Sequence, residues 1–363
     1  METQNHHSKY LSKVIEDLKD SDTLTAATAL RQLGELKDKI PMEARKNILN
    51  TVLELSCGED QRIRLSCALA LGMLKEATPN EMQHAVAKRL LELSEDSEWG
   101  VRSHAVISLG KLRYNIPYTM RLKVVKRVFE LTRDDRDEVR GFATIAIGNL
   151  KNIIPGNMKA TIIKKILHMS EKEDLKKQAL ESLGSLIEII PQEKKKDVIS
   201  KLMKLTHDDA WVSISASDTL ADVGSKIPAA MKREVSEDVL RLTDDKDDNV
   251  KIAAINSLGN LNVIIPADMH KKIIDRFLDL IEKYESKKEL SSIEVRVAAI
   301  RAIGTSNAII PEDARKDITE SLLKLTHEEN WKIRCSAAES LGMVKIDTEA
   351  KVSKFIKLLN LNQ

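Results

Sequence analysis

Apolar residues recur along the chain at intervals of three and four, the spacing that lines one face of an α-helix. In "LKVVKRVFEL" the apolar positions Val124, Val128 and Leu131 extend back to Met120, while Lys123, Lys126 and Arg127 lie on the other side. A polar stretch, "TRDDRDE", interrupts the pattern, which then resumes with Val139, Ala143, Ile147 and Leu150. The unit is therefore two amphipathic helices, here named A and B, joined by an acid-rich hinge.

The unit repeats. Stretches such as "IRLSCALALGMLKEATP", "VRSHAVISLGKLRYNIP" and "VKIAAINSLGNLNVIIP" each place a glycine seven residues before a proline. The anchor glycines are Gly34, Gly72, Gly110, Gly148, Gly184, Gly259, Gly304 and Gly342, with Ala221 filling the one gap. Most spacings are 38 residues, and the longest is 45, between Gly259 and Gly304. All 8 prolines of the chain follow an anchor in this way. Proline presets φ and lacks an N–H, so it opens helix A and closes the preceding pair. A glycine inside helix B costs about 1 kcal/mol relative to alanine. Repeated at so many positions, that cost predicts a close approach of helix B to another backbone.

A fixed period of this length predicts an all-α, right-handed α-solenoid (superhelix) of about nine antiparallel helix pairs with a period near 38 residues. A single solenoid over 1–363 is expected, with an N-terminal cap at about 1–38, repeats at about 39–346 and a C-terminal capping helix at 347–363. The eighth repeat inserts "EKYESKKELSS" between its helices. This reads as a solvated extension and loop, with a partner-contacting protrusion as the alternative.

The acid-rich hinge, the pairs Ile63-Arg64, Val101-Arg102, Val139-Arg140, Val295-Arg296 and Ile333-Arg334, and the Leu-Gly-x-Leu that follows resemble the HEAT-repeat family, particularly the bacterial and archaeal branch similar to phycobilin-lyase repeats. In that family the helix-B arginines form a structural ladder with the hinge acids, and the same role is implied here. Lys176, Ser213 and Lys251 replace the arginine in the fifth, sixth and seventh repeats, where the ladder should be weakest.

The resemblance also implies that the outward side of helix B lines a concave surface. Positions seven and three before the anchor point away from the core by helical geometry. In repeats two to four that surface carries Leu65, Leu69, Ile107 and Ile145, flanked by Met73 and Phe142; later repeats place Glu181, Asp218, Asn256, Arg301 and Glu339 there. Aligned apolar residues on a face expected to meet water suggest a site for a protein or peptide partner. Burial of these side chains against each other is the alternative.

Charge adds little to this. The chain has 58 basic and 56 acidic residues, a formal charge of +2, which provides no general drive toward nucleic acid or membrane. Locally, Lys88-Arg89, Lys126-Arg127, Lys164-Lys165 and Lys201 form a basic ridge on helix A, and this is the alternative, nucleic-acid-binding surface. Its lack of interleaved aromatics disfavours single-stranded binding. Trp99, Trp211 and Trp331 recur at the first turn of helix B, where packing on the neighbouring helix is expected and a surface anchor for a ligand is the alternative.

Enzymatic readings, a chromophore lyase or a DNA glycosylase, find little support in the residues. His327-Glu328 and His207-Asp208 stand three repeats apart, too far for a shared metal, and no cofactor motif is present. Cys57, Cys67 and Cys335 have no CxxC spacing, which points to a reducing compartment. With no apolar run long enough for a membrane span and no basic-then-apolar leader, the expectation is a cytoplasmic, non-catalytic scaffold.

Overall fold

In the computed structural model, residues 2–20, 22–287 and 289–344 are described; they form 18 α-helices, short 3-10 turns and no strands. The expected capping helix at 347–363 lies outside them. The chain divides into two compact units, Met1–Ile190 and Pro191–Gln363.

The first unit pairs α1 (Glu2–Asp17) with α2 (Thr23–Glu35), α3 (Met42–Leu55) with α4 (Gln61–Met73), α5 (Gln83–Leu93) with α6 (Trp99–Leu112), α7 (Tyr118–Leu131) with α8 (Asp137–Asn149), and α9 (Gly156–Met169) with α10 (Lys176–Leu186). The second pairs α11 (Gln192–Leu205) with α12 (Ala210–Asp222), α13 (Lys232–Leu242) with α14 (Asp248–Asn260), α15 (His270–Lys283) with α16 (Leu290–Thr305), and α17 (Arg315–Leu325) with α18 (Trp331–Met343). Odd-numbered helices are the A helices and even-numbered ones the B helices. Each unit is thus a helical-repeat solenoid.

The core follows the sequence period. Met120, Val124, Val128 and Leu131 of α7 are buried together with Val139, Ala143 and Ile147 of α8. Three residues after the proline a methionine recurs at the core phase of helix A: Met82, Met120, Met231 and Met269 are buried, and Met158 is half-buried.

Each proline sits one residue outside its helix rather than in the first turn. Pro41, at φ −58 and ψ 144, is extended, and its carbonyl accepts from the Ala44 N–H at 3.0 Å. The fixed φ suits this polyproline-like entry, and the missing N–H costs nothing there.

The anchor glycines Gly34, Gly72, Gly110, Gly148, Gly259 and Gly304 lie where consecutive B helices meet. A Cβ on Gly110 would stand 2.9 Å from the Ala146 Cα, and one on Gly72 or Gly304 would stand 2.9 Å from the Cα of Ser108 or Ser340. The facing position, two before the next anchor, is correspondingly small: Ser108, Ala146, Ser182, Ala302 and Ser340. Backbone-to-backbone packing of B on B is what offsets the helix-propensity cost of glycine.

The insertion of the eighth repeat lengthens its helices and also folds back. Tyr284 is buried, and its hydroxyl lies 3.2 Å from Asp248 Oδ1 of the preceding repeat. The tryptophans depart from expectation: Trp211 is 77% and Trp331 62% exposed. Among the described residues, Trp99, with the Arg136 guanidinium 5.1 Å from its ring centre, makes a contact of the expected kind with the next repeat. The first turn of helix B is an outer corner with too little neighbouring surface to cover an indole.

Candidate functional site

Two sets of arginines brace successive repeats, and they decide which charged groups remain available to a ligand. In the first set, helix B supplies the arginine. Arg64 donates from Nε and Nη2 to Asp96 in the next hinge at 2.7 and 3.0 Å, while its Nη1 donates to the carbonyl of Gly58 at 3.2 Å. Arg102 repeats this with Asp134 at 2.9 and 2.8 Å and with the Asp96 carbonyl at 3.1 Å. Arg140 stands 3.5 Å from Asp174, and Arg296 donates to Glu328 at 2.7 Å. Burial pushes the Asp96 and Asp134 carboxyls up, but hydrogen bonds from Arg64 and Arg102 and from the next turn's N–H outweigh it and hold both below the usual carboxylate value.

The replacements in later repeats stay closer to home. Ser213 donates to the Thr206 carbonyl at 2.6 Å, and Lys251 pairs with Asp248 at 2.6 Å, both within one repeat. Tyr284 then supplies the link from repeat eight to Asp248.

The second set was not evident from the sequence reading. Ten residues after the proline, helix A places Arg89, Arg127 and Arg276, each of which grips the residue that ends the preceding helix A. Arg89 Nε donates to Ser56 Oγ at 2.8 Å and its Nη2 to the Ser56 carbonyl at 2.5 Å. Arg127 does the same to Ser94 at 3.0 and 2.6 Å, and Arg276 to Thr243 at 2.8 and 2.8 Å. Exposed carbonyls at a helix C-terminus attract cations, and the hydroxyl adds a second acceptor. A recognisable signal exists: Ser or Thr stands fifteen residues after the proline at 56, 94, 132, 170, 206, 243 and 326.

The expected basic ridge therefore splits. Lys88, Lys126 and Lys164 are exposed, whereas Arg89 and Arg127 are committed to the clamps. Lys165, half-buried at the clamp position of repeat five, has its pKa lowered by burial and by the nearby charges of Arg133, Lys172 and Arg140. Lys201 is half-buried in the second unit. In repeat seven the clamp position inverts its charge: Asp238, 3% exposed, lies 2.9 Å from His207 Nε2, accepts from Thr206 at 3.1 Å and pairs with Arg241 at 2.7 Å. Of the residues weighed as metal ligands, His207 and Glu328 are engaged in these braces, with Asp238 and Arg296 respectively.

The apolar helix-B surface occupies the opposite side of the B helices from their contact with A. Leu65, Leu69 and Met73 on α4, Ile107 on α6 and Ile145 on α8 are all half-buried, and Phe142 on α8 is 36% exposed. Part of this cover comes from the backbone of neighbouring repeats. Leu65 Cδ1 would lie 3.2 Å from a Cβ on Gly100 of the next repeat, and Met73 Sδ 2.7 Å from one on Gly34 of the preceding repeat. The strip ends in charge, with exposed Arg31 at the same register in repeat one and exposed Glu181 in repeat five. In the second unit that register holds exposed Asp218, Asn256, Arg301 and Glu339, the last two paired at 3.4 Å.

Comparison with known proteins agrees with this architecture. A family model described as HEAT repeats matches residues 11–110 and 278–363. No curated protein matches the sequence. Among solved structures, the E. coli protein YibA is similar at 15% identity and TM-score 0.53, over 86% of this chain and 96% of that one. Kap121p bound to Nup53p is similar at 14% identity and TM-score 0.51, over 93% of this chain, and a substituted form of Kap121p at 14% and 0.52, over 98%. This chain spans only 37% and 38% of those two larger chains. Likeness at such low identity speaks to the fold, but the family match reaches both ends of the chain, and with the repeat geometry it establishes that this protein belongs to the HEAT-repeat family.

Proposed function

We propose that the protein is a non-catalytic scaffold that receives an amphipathic helix or extended peptide on the helix-B surface of repeats two to four. The observation that carries this reading is the alignment of Leu69, Ile107 and Ile145 at one register in three successive repeats, each only half-buried. The core does not need them apolar, because the second unit builds the same B-on-B packing with Asp218, Asn256 and Arg301 at that place. A partner's apolar stripe would complete their burial, at about 25 cal/mol per Å². Arg31 and Glu181 at the two ends favour a partner acidic at one end and basic at the other, which would fix its direction. Kap121p, a solved structure of similar fold, is seen bound to Nup53p. Three free cysteines, with Cys67 buried, fit a reducing, cytoplasmic setting. Among the described residues no helix is long and apolar enough to cross a membrane.

The test is affinity capture from native extract by the wild-type chain and by an Ile107→Asp/Ile145→Asp variant, with helical content followed by circular dichroism. The expected result is loss of specific partners from a variant that remains fully helical. Capture of the same proteins in the same yield would reject the groove.

A further inference from the structure

The outer face of repeat four carries a second surface that the repeat architecture does not explain. No acidic residue occurs between Glu98 and Glu130, or between Glu138 and Glu171, so the acids of this region are confined to the hinge at 130–138. Away from the hinge, α7 and the turn before it are purely basic, with Arg113, Arg121, Lys123 and Lys126. Lys123 and Lys126 are exposed and make no ion pair among the described residues.

The sequence leads us to expect no aromatics among the ridge lysines, but in repeat four the structure sets exposed aromatic groups beside these charges. Tyr114 is 65% exposed, Tyr118 84% and Leu122 47%. Tyr118, Leu122 and Lys126 follow one another at intervals of four and so share one face of α7. Helix packing does not require them: the place of Tyr118 is taken by Asn80, Gly156 and Gln192 in neighbouring repeats, and that of Leu122 by His84, Ala160 and Lys196.

The rings are held in place. The Arg121 guanidinium carbon lies 5.7 Å from the Tyr118 ring centre while its Nε donates to the Ile116 carbonyl at 3.3 Å. The Tyr114 hydroxyl accepts from Asn152 in the following turn. Its neighbour Arg113 has φ 47, which is strained for a non-glycine residue, and donates to Asn149 at 2.9 Å. Exposed tyrosines set among cations that make no ion pair match the requirements of a flexible polyanion that also has flat faces to stack.

We propose that this face of repeat four binds single-stranded nucleic acid, with phosphates on Lys123, Lys126 and Arg121 and bases stacked on Tyr114 and Tyr118. The site is separate from the helix-B groove and from the clamp arginines, so it stands or falls independently of the scaffold reading. An acidic polypeptide would satisfy the charges but not the rings.

Fluorescence anisotropy with labelled oligothymidylate and oligouridylate tests this on the full chain. The wild type should bind, and log affinity should fall linearly with log salt between about 50 and 200 mM. Tyr114→Ala/Tyr118→Ala should weaken binding at least about tenfold with an unchanged salt slope, because each stacked base contributes a factor of about five or more. Lys123→Glu/Lys126→Glu should weaken binding and lower the magnitude of the slope by about 1.4, the loss of two phosphate contacts on a single strand. All four positions are exposed, so unchanged circular dichroism is expected of both variants. The proposal is overturned if oligonucleotides do not bind at low salt, if the tyrosine variant binds like the wild type, if a duplex binds as tightly as a single strand, or if polyglutamate competes equally.

Discussion

In repeats two and three, Arg64 and Arg102 reach across to Asp96 and Asp134 of the next hinge; in repeats six and seven, Ser213 and Lys251 stand at the same register and bond within their own repeat. The clamp position shows the same contrast, with Arg89 and Arg127 in one unit and the buried Asp238 in the other. Helix pairing is nevertheless equivalent in both regions. Apolar and small residues at the B-on-B contact carry the geometry, and the charged braces are interchangeable solutions to satisfying hinge carbonyls and helix ends. A buried ion pair can therefore be exchanged for other chemistry, but it cannot be halved without leaving an unpaired charge.

The largest test of that contrast removes Arg102. Its side chain and that of Asp134 are 12% and 7% exposed, so Arg102→Met leaves a buried carboxylate unpaired and should cost about 3 kcal/mol in chemical denaturation. Arg301→Met, which breaks a pair with both partners more than half exposed, should cost less than about 0.5 kcal/mol. Equal losses would show that the two regions are braced alike.

Next in size is the packing that both regions share. Gly110→Leu should destabilise by about 1–3 kcal/mol, since even a Cβ there meets the Ala146 backbone. Gly156→Leu, with nothing within 4 Å of the added carbon, should stay within about 0.5 kcal/mol. Unchanged melting temperatures in both would reject backbone contact as the reason for the glycines.

Acid should sharpen the comparison further. Asp96 and Asp134 titrate below the ordinary carboxylate value of 3.8 when folded, so the stability they confer is complete above about pH 4 and is lost as pH falls through their folded values. Hydrogen exchange at descending pH should therefore show protection falling in the hinges of repeats three and four, and Asp134→Asn should remove much of that dependence. Protection that is independent of pH there would contradict the ladder.

The smallest expected effect concerns the hydroxyl facing Gly72. Ser108 Oγ is buried and makes no hydrogen bond among the described residues, so Ser108→Ala should be neutral or stabilising by up to about 1 kcal/mol, measured by thermal melting. Clear destabilisation would mean that the hydroxyl is bonded and that size alone does not select the residue.

The sequence by itself determined the helices, their pairing and the glycine contact, because these depend on local periodicity and on a repeat that reports the same environment many times over. The ladder was legible for the same reason: Arg64, Arg102 and Arg140 recur in fixed register with the hinge acids. Position along a helix, however, does not tell how far a side chain reaches. Arg89 and Arg127 look as free as Lys88 and Lys126 in the sequence, yet the crossing of successive A helices sets their guanidinium groups on Ser56 and Ser94 and removes them from any ligand surface. Exposure is likewise a property of the assembled stack. Neighbouring repeats half-cover Leu65 and Met73 through Gly100 and Gly34, while Trp211, Trp331, Tyr114 and Tyr118 stay open to water. Which surfaces remain available for binding was decided only by the tertiary structure, because solvent access depends on neighbours some thirty or more residues away in the chain.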